Sequence, residues 1–179
     1  LVPYWRGKTF YDRLMSNLTE DVALLRFDAN AFSVGLHEDG GLGHVLLDYE
    51  KVLKYGFDGI KKAIIEKRDR LSDWKGEDII KRQFYNACIS ISDSVIAFAR
   101  RYADKAMDMA TIERNPERKM ELEAIAKVCA RVPEYPAANF HEALQSFWFV
   151  QLVPQIYDNG VSISPGRFDQ YMYPYYSAD

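Results

Sequence analysis

The chain has 179 residues, 48% of them hydrophobic and 27% charged, which is enough to bury one sizeable core. Its 23 basic and 26 acidic residues are mixed along the sequence and leave a formal charge of -3, which argues against an electrostatic surface for nucleic acid or another polyanion. No apolar run approaches the roughly eighteen residues of a membrane span, and no basic-plus-apolar leader is present, so the sequence reads as cytoplasmic and without a membrane partner.

In chain order, Thr9 is placed to cap a short helix with Phe10 and Leu14 on one face, and Thr19 followed by Glu20 and Asp21 opens another. Residues 33–43 break regularity, because the glycines at 35, 40, 41 and 43 permit backbone shapes that other residues resist. Asp48 restarts a helix whose apolar stripe is Val52, Leu53, Ile60, Ile64 and Leu71, with Gly56 and Gly59 as weak points and basic residues crowding its last turns.

Glu77 to Ala110 predicts a long amphipathic helix, since Ile80, Phe84, Ala87, Ile91, Val95, Phe98, Tyr102, Ala106 and Met109 recur at steps of three and four. Asn115-Pro116 is a cap followed by a first-turn proline, and the helix it opens ends at Pro133. Asn139 with Glu142 three residues on has the form of a capping box for a very apolar helix containing Phe147, Trp148, Phe149, Val150 and Leu152, expected to be deeply buried. After Pro154 the pattern changes. Asp158-Asn159-Gly160 signals a turn, Val161 to Ser164 alternates as a strand would, and Pro165-Gly166 leads into a last helix. One strand cannot satisfy its own backbone groups, so its neighbours are expected in sequence outside these residues. The opening Leu1-Val2-Pro3, without an initiator Met, and the Tyr-rich close, Tyr171 to Tyr176, read as cuts through a longer protein.

Few residues carry chemistry by pattern alone. His44, at the end of the glycine loop and four residues before the Asp48 cap, is open between hydrogen bonding to a substrate hydroxyl and a purely structural bond within the loop-to-helix joint; the pattern favours the second. His37 and His141 are weaker, the latter an early-turn helix residue. His37, Glu38, Asp39 and His44 lack any recognised metal-ligand spacing, and no metal is expected. Ser162 and Ser164 share one face of the expected strand without the glycine elbow of a nucleophilic serine. Gly40-Gly41 and Gly43 lack the rest of a phosphate-binding fingerprint. Arg167 and Asp169 read as structural. Cys88 and Cys129, far apart and without CxxC spacing, read as buried reduced thiols.

Four runs in one order give the chain a resemblance. They are Pro3-Tyr4-Trp5-Arg6-Gly7-Lys8-Thr9; Gly43-His44-Val45 through Asp48-Tyr49-Glu50-Lys51-Val52-Leu53; Phe140-His141-Glu142-Ala143-Leu144-Gln145-Ser146-Phe147-Trp148; and Asp158-Asn159-Gly160-Val161-Ser162-Ile163-Ser164-Pro165-Gly166-Arg167-Phe168-Asp169-Gln170-Tyr171. Together they resemble the glycyl radical enzymes of the pyruvate formate-lyase-like superfamily. The branch they are most similar to holds glycerol and propanediol dehydratases, choline trimethylamine-lyase and hydroxyphenylacetate decarboxylase.

The resemblance implies a mainly α chain of 179 residues forming one partial domain, the helical wrapping plus the first strand of a ten-stranded α/β barrel. It implies a homodimeric parent working in anaerobic metabolism. That parent would carry a glycyl radical installed by an activase that uses S-adenosylmethionine and an iron-sulfur cluster. The radical oxidises a cysteine, whose thiyl takes a hydrogen from substrate. That cysteine lies in a Gly-Cys-Val-Glu-Pro-like loop. Neither Cys88-Ile89-Ser90 nor Cys129-Ala130-Arg131 matches it, and the terminal Arg-Val-x-Gly-Tyr-like loop is not in this sequence either. By resemblance, then, these residues hold no catalytic group and bind no cofactor, and are inactive alone. They supply part of a pocket wall: His44 and Ser162 match residues that contact substrate in the diol dehydratases, with Phe32 as a further apolar contact. Val161 departs from the pattern, standing where those dehydratases carry a histidine, which makes the wall locally apolar. The implied reaction is cleavage of a C–O or other carbon–heteroatom bond. Arylacetate decarboxylation is the alternative within the family, and a non-catalytic helical interaction domain is the alternative outside it.

Overall fold

Helix boundaries follow the local signals closely. The structure, a computed structural model, describes residues 4, 6–8, 10–29, 31, 44–158 and 162–178. Helix α1 is Phe10–Asn17 and α2 is Glu20–Ala23. Thr19 takes the extended backbone of a cap without making a side-chain cap bond, and Glu20 and Asp21 occupy the first turn as the helix dipole favours. The chain then widens into a π-helical turn, Leu24–Asp28, for which the sequence carries no marker. Thr9 and the glycine loop lie outside the described residues.

Two compact units organise the chain. The smaller comprises Leu1–Leu46 and Pro154–Ser164, the larger Leu47–Val153 and Pro165–Asp179. In the larger, α3 (Tyr49–Asp69) starts where expected, the Asp48 side chain accepting from the Lys51 amide at 3.2 Å. It consists of two helical stretches meeting at Gly56, whose φ of 64° and ψ of 168° lie outside the helical range. The break places the Phe57 and Asp58 amides on the carbonyls of Pro133 and Glu134, at 2.8 and 2.9 Å, while Ala137 donates to the Leu53 carbonyl at 3.1 Å. A Cβ at position 56 would stand 2.3 Å from the Glu134 carbonyl oxygen and 2.6 Å from the Tyr135 carbonyl carbon. Glycine is therefore required twice, for the positive φ and for the approach of a second backbone.

Helix α4 (Gly76–Ile112) runs through the predicted long element. Helix α5 (Pro116–Arg131) is capped by Asn115, whose side chain accepts from the Glu117 and Arg118 amides at 2.9 and 3.2 Å. Helix α6 (Phe140–Asp158) opens with the Asn139 side chain accepting from the Glu142 amide at 2.9 Å. The Glu142 carboxylate turns back to the Ala138 amide at 2.8 Å and to Arg131 Nε at 2.9 Å, so it joins the end of α5 to the start of α6. Helix α7 is Phe168–Tyr176.

Three buried clusters hold the larger unit. Ala99 and Ala103 of α4 pack with Cys129 of α5 and Phe149 of α6. Tyr49 and Val52 pack with Val150, and Leu53 packs with Ala143 and Met172. The small alanines of α4 let neighbouring helices approach closely, which is how a long helix with modest side chains still builds a core.

The structure departs from the sequence expectation at three places. Helix α6 continues past Pro154 to Asp158, the proline costing it one internal hydrogen bond rather than ending it. That helix is also less buried than its composition predicts: Phe149 and Ala143 are inaccessible, but Trp148 is 54% exposed. The expected strand Val161 to Ser164 is, among the described residues, a single parallel bridge between Leu46 and Ser164, and no β-strand is present. A strand needs neighbours along its length, and here Ser164 has only one short partner segment. Val161 itself lies outside the described residues. No described helix is long and apolar enough to cross a membrane.

Candidate functional site

The bridge is the centre of the candidate site because both expected pocket residues lie beside it. The Ser164 amide donates to the Val45 carbonyl at 3.4 Å, pairing the segments that begin at His44 and Ser162. Each of those two residues stands two positions ahead, in sequence, of a member of the bridged pair Leu46 and Ser164. Both have left-handed backbone, φ 57° at His44 and φ 58° at Ser162, and they are the two described non-glycine residues with positive φ. Such a conformation costs roughly 1–2 kcal/mol per residue and concentrates at functional positions. Both side chains are exposed. An exposed imidazole and an exposed hydroxyl can each offer a donor and an acceptor to a small polar molecule.

In the larger unit, two tyrosines that follow these segments in sequence pack on one another. Tyr49, in the first turn of α3, is 2% exposed, and its hydroxyl donates to the Gln151 side chain. Its ring lies 4.9 Å from that of Phe147 and stacks on that of Tyr171 at 5.7 Å. The Tyr171 hydroxyl reaches back six residues to donate to the Pro165 carbonyl at 2.7 Å. Burial, and secondarily the charge of a neighbouring Tyr49 phenolate, pushes the Tyr171 hydroxyl up to about 12, and burial likewise raises Tyr49. Both therefore remain neutral donors over the ordinary pH range. The Tyr-rich close of the sequence was the signal for this cluster, but nothing in it indicates which hydroxyl meets which carbonyl.

Other expectations resolve more simply. Phe32, Val161 and His37 lie outside the described residues. His141 is an exposed residue of the first turn of α6. Arg167 immediately precedes α7 and reaches Gln170 at 3.5 Å, and Asp169 lies in the first turn. Cys129 is buried in the core, its thiol raised by desolvation, whereas Cys88 is only half-buried; both are free thiols inside helices. Among the described residues no three His, Cys, Asp or Glu side chains are grouped to hold a metal ion. An open depression of about 410 Å³ between α3 and α4 is lined by Lys61, Asp93, Arg100, Arg101, Asp104 and Glu134. Its charges largely neutralise one another, Lys61 pairing with Asp93 at 2.7 Å and Arg100 with Glu134 at 2.6 Å.

A helical chain presenting a strained His/Ser pair beside an isolated parallel bridge has a place among known proteins. Residues 1–179 match the pyruvate formate lyase-like family in full, and the chain belongs to that family of glycyl radical enzymes, as its four motif runs led us to expect. Isethionate sulfite-lyase of Oleidesulfovibrio alaskensis is 41% identical over 189 residues, covering 100% of this chain and 23% of that protein. A solved structure concerned with 1,2-propanediol dehydration in Roseburia inulinivorans is 42% identical with a TM-score of 0.83, covering 99% of this chain and 22% of that one. The glycerol-bound B12-independent glycerol dehydratase from Clostridium butyricum is 41% identical with the same TM-score and the same coverage. The chain thus spans under a quarter of the length of these relatives.

Proposed function

We propose that this chain is part of a glycyl radical lyase that cleaves a C–O or other carbon–heteroatom bond of a small hydroxyl-bearing substrate, and that His44 and Ser162 form one wall of its pocket. The observation that carries the reading is that His44 and Ser162, each two residues ahead of the Leu46–Ser164 bridge, both hold left-handed backbone. Strain of this kind persists when a position is held for a purpose other than stability. Relatives named for sulfite release and for glycerol and propanediol dehydration support a leaving group next to a hydroxyl-bearing carbon.

In this reading His44 takes a hydrogen bond, or the proton, from the substrate hydroxyl. That raises electron density on the adjacent carbon and favours departure of the leaving group from the next one. Ser162 fixes the orientation of the same polar end. Hydrogen abstraction belongs to a cysteine elsewhere in the intact protein: Cys129 is closed in the core, Cys88 lies within α4, and neither has a glutamate two positions on. The bridge would then mark the beginning of the barrel sheet, with its other strands in the remainder of the intact protein. Val161 makes the wall apolar where a second imidazole would suit a diol, which favours a substrate other than glycerol, and Phe32 adds to that apolar side. The intact protein would be a homodimer activated by a radical S-adenosylmethionine enzyme with an iron-sulfur cluster.

The test is anaerobic activation of the full-length protein with its activase and S-adenosylmethionine. The glycyl doublet is read by electron paramagnetic resonance, and products are followed from glycerol, 1,2-propanediol, isethionate, choline and arylacetates. The expected outcome is a doublet with turnover of a hydroxyl-bearing substrate. His44→Ala and Ser162→Ala are each expected to lower kcat/KM by about tenfold to a hundredfold while leaving the doublet intact. Carbon dioxide from an arylacetate alone would make the protein a decarboxylase, and absence of the doublet with a competent activase would leave a non-catalytic helical scaffold.

A further inference from the structure

We propose that Leu46 is a specificity-determining residue of the pocket wall, an apolar contact that favours substrates carrying a methyl or other apolar group beside the hydroxyl-bearing carbon. The inference rests on the reading of His44 and Ser162 as pocket residues and adds what the same wall selects for.

All of the residues concerned belong to the smaller unit. Leu46 is bridged in parallel to Ser164, and the Ser164 amide donates to the Val45 carbonyl at 3.4 Å. Residues paired across a bridge carry their side chains on the same side, and the neighbouring residue along each segment points to the other. Exposure follows that alternation. Ile163 is 8% exposed and Val45 is half-buried, whereas Leu46 and Ser164 are exposed. The bridged pair therefore has a covered side and an open side, and the open side sets a leucine next to a serine.

The leucine is the unexpected member. It is 65% exposed, while the other exposed residues of 44–46 and 162–164 are the polar His44, Ser162 and Ser164. An isolated exposed leucine on an ordinary surface needs no explanation, but this one has a particular place. Two residues of chain span at most about 7 Å and neighbouring strands lie about 4.8 Å apart, so the Cα of Leu46 is within about 7 Å of that of His44 and about 12 Å of that of Ser162. A molecule of a few carbons held by the imidazole and the hydroxyl is within reach of the isobutyl group. That group offers no hydrogen bond. A methyl placed against it leaves water without loss, whereas a second hydroxyl would be stripped of water with nothing in exchange. Discrimination by one such group is worth about tenfold to a hundredfold.

Leu46→Cys and Ser162→Cys, made separately in the full-length protein before activation, test the placement without requiring turnover. Each introduced thiol is alkylated with iodoacetamide and its peptide followed by mass spectrometry, with glycerol, 1,2-propanediol, isethionate, choline or phenylacetate as the protecting probe. Position 46 is expected to react in the free protein and to be slowed about tenfold by the same probe that slows position 162. If position 162 reacts in the free protein and position 46 does not, the rest of the protein covers this leucine and the proposal is overturned. Undiminished alkylation at 46 with a probe that protects 162 overturns it equally. If neither position reacts, or no probe protects either, the pocket reading itself falls and this inference goes with it.

In the activated enzyme, kcat/KM should favour 1,2-propanediol over glycerol by about tenfold or more, and Leu46→Ala should bring the two within about threefold of each other. Leu46→Asn, of similar size, should narrow the ratio further. An equal fall for both substrates is what a merely structural leucine would give, and it too would overturn the proposal.

Discussion

Ser162 and Tyr171 show what individual residues contribute. If the left-handed backbone at Ser162 is tolerated for its hydroxyl, Ser162→Gly should raise the unfolding free energy by about 1 kcal/mol and lower turnover at the same time. Denaturant titration and steady-state kinetics on one preparation check this, and a variant both less stable and fully active would contradict it. Tyr171 predicts a pH dependence. Its folded pKa of about 12 lies above the ordinary tyrosine value of about 10, so the folded state holds the proton more tightly than the unfolded chain. The stability this represents is fully present below about pH 10 and lost as pH rises towards 12. Tyr49 and Tyr175 are shifted in the same direction, so the contribution of Tyr171 is the difference between wild type and Tyr171→Phe in unfolding midpoints followed from pH 9 to 12. None of this could be read from composition. His44 and Ser162 stood out through a resemblance to a family, and a positive φ at a non-glycine residue has no local signature, because what enforces it lies elsewhere in the fold.

At the scale of elements, the legible features were those decided within one turn of chain. Asp48, Asn115 with Pro116, and Asn139 with Glu142 were read as helix starts and act as such, because a cap joins a side chain to amides two or three residues on. Glu142 does more than close a box. With 11% side-chain exposure and bonds to Arg131 and the Ala138 amide, it ties two helices together. Glu142→Ala should cost roughly 2–3 kcal/mol and Glu142→Gln about 1 kcal/mol, read from urea unfolding followed by helical circular dichroism. Features decided at a distance were not legible. Gly56 could be flagged as a weak point of α3, but not as the place where the 133–135 backbone enters. The stripe of α4 was visible along its whole length, yet periodicity does not say which half is covered: Val95 and Ala106 are buried, while Ile80 and Phe84 are 69% and 64% exposed.

For the whole molecule, that uncovered half has a direct consequence. Ile80, Phe84, Ala87 and Ile91 follow one another at steps of four, three and four on exposed positions of α4, and Trp74, just before it, is 92% exposed. A contiguous apolar face of this kind is unusual on a monomer in water. The 179-residue chain alone is therefore expected to self-associate at micromolar concentrations. An Ile80→Lys, Phe84→Lys double variant should be closer to monomeric by sedimentation velocity, with unchanged helix content.

The break at Gly56 bears on synthesis as well as shape. The carbonyls that receive the Phe57 and Asp58 amides belong to Pro133 and Glu134, which follow α4 and α5 in the chain. While a ribosome has released only α3 and α4, the two amides lack the acceptors they have in the finished chain, and the backbone contacts that hold the break at Gly56 are not yet made. The break is settled when the turn after α5 emerges and docks. A nascent chain stalled before residue 133 should therefore leave Gly56 open to a protease that the finished chain resists.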